Sequence, residues 1–107
     1  MADASTKRYL AIVQLKGDST IARIGEDVPK IIKFIESFSH GEHEQAFRSK
    51  DGLLFGYFLK TATPEFLQAE FIKCSGTQNG DSFVAFEIGN LVAGEGFSRA
   101  WTWLQRH

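Results

Sequence analysis

The sequence predicts an α+β domain with an antiparallel sheet of about four strands, built as strand, helix, hairpin, helix, strand and closed by a helix at the C-terminus. Three observations carry this. Tyr9-Leu-Ala-Ile-Val-Gln-Leu15 is apolar at nearly every position, as a central strand with both faces partly covered must be. Lys50-Asp51-Gly52 separates two extended runs, and Asp-Gly between such runs signals a hairpin because Gly accepts positive φ. Two further stretches repeat their apolar residues at helical spacing.

In chain order, strand one is Tyr9–Leu15. Helix one follows a polar loop: Val28, Ile31, Ile32, Ile35 and Phe38 form one apolar stripe, while Lys30, Lys33 and Glu36 fall elsewhere. Asp27 suits its N-cap, Pro29 its first turn and Gly41 its end. Strands two and three are Glu44–Ser49 and Leu53–Thr61. Thr63-Pro64-Glu65 opens helix two, which runs through Phe66, Leu67, Phe71 and Ile72 toward Cys74; Gln68–Ser75 also fits a strand pairing with Ser82–Ile88, because so short an apolar run has no decisive period. Strand four is Ser82–Ile88. Phe97, Ala100, Trp101 and Leu104 form the stripe of the C-terminal helix, with Trp103 to one side. This element order resembles the split βαβ of ferredoxin-like domains, βαββαβ, extended by one helix.

Composition bounds the rest. With 107 residues, 43% of them hydrophobic and 13% aromatic, the chain fits one domain over 7–107 behind a frayed tail at 1–6. Ten phenylalanines and two tryptophans make an aromatic core the expectation, since each ring can bury roughly 150–250 Å². A formal charge of −1, with twelve dispersed basic residues, argues against a nucleic-acid binder that relies on clustered Lys and Arg. Cys74 is the single cysteine, so no intramolecular disulfide forms, and neither an apolar leader nor a membrane span is legible. The expectation is a soluble, cytoplasmic protein with no cofactor.

Four residue groups are candidates for chemistry. Leu53-Leu-Phe-Gly-Tyr-Phe-Leu-Lys60 partly resembles the signature of RNA recognition motifs: Phe55, Gly56 and Tyr57 match on the third strand, but Leu53, Leu54 and Lys60 do not. The resemblance implies base stacking on Phe55 and Tyr57 with Lys60 beside them. His40-Gly-Glu-His43-Glu44 gathers imidazole and carboxylate, which suits a divalent metal, although no further ligand is near in sequence. A metal-dependent nuclease or hydrolase would use His40, His43 and neighbouring carboxylates; strand one, however, ends in Gln14-Leu15-Lys16, without the acidic residue that small ferredoxin-like nucleases carry there. Cys74 lacks a sequence neighbour that would activate it and reads as a small apolar residue.

Strand three supplies the fourth candidate. By the period-two rule it places Leu53, Phe55, Tyr57 and Leu59 on one face, and Leu54 and Phe58 on the other. Two helices cover only one face of such a sheet, so something must cover the second. A non-catalytic protein that self-associates, as a homodimer, or binds a protein partner is therefore the leading expectation, with Phe55, Tyr57 and Trp103 as contact residues.

Overall fold

β1 (Lys7–Gln14) is the hub of the sheet, pairing antiparallel with β3 (Leu54–Thr61) on one side and with β4 (Ser82–Glu87) on the other. In this computed structural model, which describes residues 6–89, β2 (His43–Arg48) adds to the far side of β3 and completes the order β2-β3-β1-β4, with every neighbouring pair antiparallel. Helix α1 (Ile21–Ser39) joins β1 to β2. A 3-10 turn (Pro64–Phe66) leads into α2 (Leu67–Lys73) ahead of β4. Residues 6–89 thus form a small α+β domain with a four-stranded antiparallel sheet and two helices. No described helix is long and apolar enough to cross a membrane.

The sheet segments follow the expected runs to within a residue or two. Gly52 has φ 77° in the β2–β3 turn, and Asp51 Oδ1 accepts from Leu53 N–H at 3.0 Å and from Ser49 Oγ at 2.6 Å. Helix α1 corrects the sequence reading at its start. Thr20, not Asp27, is the N-cap, its hydroxyl accepting from Arg23 N–H at 3.1 Å. Asp27 lies inside the helix, as does Pro29, which has no N–H to give the carbonyl of Gly25. Packing carries the helix past that gap: Val28, Ile31 and Ile35 are fully buried. At its end His40 takes the left-handed conformation at φ 52°, ahead of Gly41. Gln68–Ser75 is not a strand, since Leu67–Lys73 is helical. The expected C-terminal helix, with Trp101 and Trp103, lies outside the described residues.

The core lies between the helices and one face of the sheet. Ala11, Val13 and Leu15 of β1 and the segment after it meet Phe55, Tyr57 and Leu59 of β3, Val28, Ile31 and Ile35 of α1, and Leu67 and Phe71 of α2. Phe71 stacks on Phe83 with ring centroids 4.8 Å apart, fastening α2 to β4.

A buried ionic network fixes the loop between α2 and β4. Arg23 Nη2 donates to Asp81 Oδ2 and, at 3.0 Å, to the carbonyl of Gly76; its Nε donates to Asp27 at 2.7 Å. Asp81 also accepts from Lys16 N–H at 3.0 Å and Gln78 N–H at 2.8 Å. Burial pushes the Asp81 carboxyl up, but the bonds from Arg23, Gln78 and Lys16 outweigh it and hold the group below its ordinary value. The three charged residues form one satisfied unit that pins α1, the end of β1 and the start of β4 together.

Candidate functional site

Residue parity decides which side chains the sheet presents. The odd-numbered residues of β1 and β3 enter the core, so the even-numbered ones lie on the second face. There Leu10 stands between Phe58 and Phe86, and Ile12 between Gly56 and Val84. Phe47 crosses over Gly56 from β2, helped by the register shift between Gln45 and Phe47. Phe58 is nearly buried, with Leu10, Ala46 and Ile88 packed around it. Toward β4 the face opens: Val84 is 43% and Phe86 53% exposed. Gln14, Ser82 and Lys60 rim the patch, Lys60 in an ion pair with Glu42 at 3.8 Å. Among the described residues both helices pack on the opposite face, and no element covers this one.

Beside this face, β4 and α2 border a groove of about 530 Å³ lined by Leu67, Phe71, Ile72, Phe83 and Ala85, with Glu65 at its rim. Ile72 is largely exposed there.

The structure corrects the placement of the contact residues read from β3. Phe55 is fully buried and Tyr57 nearly so, in edge-to-face contact at 6.4 Å beneath α1. The Tyr57 hydroxyl donates to Gln45 Oε1 at 3.4 Å, and burial, with Glu36 adding to it, raises its pKa above the usual phenol value. Neither ring is offered to a partner or to a base. Lys60, on the opposite face from both, does not join them. The physical reason is register: pairing with β1 turns the odd residues of β3 toward the helices. Trp103 lies outside the described residues.

The two histidines also part company. His40 is exposed at the helix end, whereas His43 Nδ1 lies 3.1 Å from Ser39 Oγ and its Nε2 3.4 Å from Glu36 Oε2. Serine, histidine and carboxylate in that connectivity have the order of a hydrolase triad. Access argues against nucleophilic chemistry. Ser39 is buried, which leaves no room for a substrate at its hydroxyl, and the carbonyl of Glu36 at 2.8 Å competes with His43 for the hydroxyl proton. The cluster closes the end of α1 onto β2. Among the described residues no group of three or more His, Cys, Asp or Glu side chains is placed to hold a metal, so His40 and His43 are not joined by a third ligand. Cys74 is half-buried, its Sγ 3.7 Å from the carbonyl of Lys30.

Sequence reasoning passed over Val84, Phe86 and Phe47 as surface residues. The signal for the first two was present: the period-two rule applied to Ser82–Ile88 puts both on one face.

Among solved structures, the chain is similar to that of uncharacterized protein TM1266 from Thermotoga maritima, with 13% identity and a TM-score of 0.42, covering 78% of this chain and 99% of that one. No family model and no curated protein matches the sequence.

Proposed function

We propose that the protein is a non-catalytic association domain with a ferredoxin-like sheet, acting in the cytoplasm by joining a second copy of itself through the β4 side of its second sheet face. The observation that carries the reading is the row Leu10, Ile12, Val84 and Phe86, which runs across adjacent strands on the face away from both helices. A contiguous apolar patch rimmed by polar residues favours a protein contact over water. The order βαββαβ, with the sheet read from its other edge as β4-β1-β3-β2, supports the ferredoxin-like assignment. A single thiol suits a reducing compartment.

Catalysis finds less support. The buried Ser39, the occupied His43 and the engaged Asp27 and Asp81 are held in structural hydrogen bonds and ion pairs. Light scattering of the full chain at tens of micromolar tests the proposal. The expected mass is twice the 12.0 kDa of the chain. A mass of 12.0 kDa at every concentration would overturn it.

A further inference from the structure

The large apolar side chains left exposed are concentrated at one edge. Among the described residues they are Ile21, Phe66, Ile72, Val84 and Phe86, and all but Ile21 belong to β4 or to the turn and helix packed beside it.

The backbone of β4 points the same way. Ile88 N–H donates to the carbonyl of Arg8 at 2.9 Å. Because antiparallel ladders alternate, Val84 and Phe86 direct their N–H and C=O groups at β1 in the same phase, and Phe83, Ala85 and Glu87 direct theirs outward. β4 is last in the strand order, so those outward groups meet no strand among the described residues.

The two sheet edges are built differently. β2 is interrupted by the shift between Gln45 and Phe47 and carries Glu44 and Arg48, devices that discourage strand addition. β4 has no register shift and no proline, and the one charge in Ser82–Glu87 is Glu87, paired with Lys7 at 3.8 Å.

We propose that β4 pairs antiparallel with β4 of a second copy about a two-fold axis at Ala85, merging two four-stranded sheets into one of eight strands. The inference rests on the self-association proposed above and names its joint. Centring the axis at Ala85 gives every outward group of Phe83, Ala85 and Glu87 a partner, whereas an axis at either end of the strand leaves some unpaired. On the second face this register sets Val84 against Phe86 of the other copy, twice, an aromatic and β-branched pair that covers the two exposed large apolar side chains of β4. On the helix side it puts the smallest side chain of the strand at the axis, beside the groove that Ile72 lines.

A second copy fits better than an extended peptide. A lone added strand covers the edge and leaves the helix layer, with Phe66 and Ile72, in water. A second copy brings both layers, and a two-fold contact needs only this one surface to be self-complementary.

Amide hydrogen exchange of the full chain, followed residue by residue across a dilution series with mass measured in parallel, tests the joint. The expected result is that Phe83, Ala85 and Glu87 are protected at least about tenfold more in the dimer than in the monomer, while Val84, Phe86 and Ile88 keep their protection in both. A dimer in which the three outward amides exchange as fast as in the monomer would overturn the edge pairing and leave self-association through the face standing. Three amides equally protected in the dilute monomer would overturn it too, because something other than a second copy would hold the edge. A chain that never dimerises removes self-association itself.

Discussion

The ring of Phe47 lies against Gly56 across the β2–β3 ladder, so that a Cβ built on Gly56 would fall inside the ring's own space, 2.7 Å from Phe47 Cζ. No side chain fits there without moving the ring. Gly56→Ala is therefore expected to displace Phe47 from the second face and to cost about 1–3 kcal/mol, the usual penalty of overpacking. Urea unfolding of the variant checks it; an unchanged midpoint and slope would mean that the ring moves aside freely.

Phe55 and Phe86 should separate core from surface. Phe55→Ala empties a fully buried site and is expected to cost about 3–5 kcal/mol, a large share of a small domain's stability. Phe86→Ala is expected to leave monomer stability within about 1 kcal/mol, as for other exposed positions, and to weaken association. Paired denaturant melts and sizing runs decide; equal losses of stability would place Phe86 in the core.

What could be read from the sequence, and what could not, follows from these same residues. The strands, the hairpin and the second helix were legible because apolar runs and the Asp51-Gly52 turn are local signals. The start of α1 was not: Asp27 has the chemistry of a cap but is consumed by Arg23, and Gly25 and Pro29 disguise helix that tertiary packing sustains. The orientation of Phe55 and Tyr57 was hidden because β3 is apolar on both faces, so only its pairing with β1 decides which set enters the core. The Ser39, His43 and Glu36 cluster spans a helix end and a strand start, a proximity that spacing alone does not reveal.

The Arg23 and Asp81 pair makes stability depend on pH. The folded-state pKa of Asp81 is depressed, so its contribution is complete above the ordinary carboxylate value and is lost as pH falls through the folded one. Stability should hold near neutrality with respect to this group and fall below about pH 4. Asp81→Asn is expected to cost about 3 kcal/mol at neutral pH, since it strips a buried guanidinium of one of its two carboxylates, and to flatten the acid limb. Thermal melts from neutral to acid pH compare the two proteins; parallel curves would show that Asp81 does not govern the limb.

Association through the β4 side of the second sheet face is decided by sedimentation equilibrium of the wild type beside a Val84→Lys, Phe86→Lys double variant. Both side chains are exposed on that face at the β4 edge, where added ammonium groups stay hydrated in a monomer but are desolvated or set against one another in a joined pair. A wild-type dimer is expected, beside a variant that sediments as a single 12.0 kDa chain with unchanged far-ultraviolet circular dichroism. Equal masses for the two proteins would contradict it.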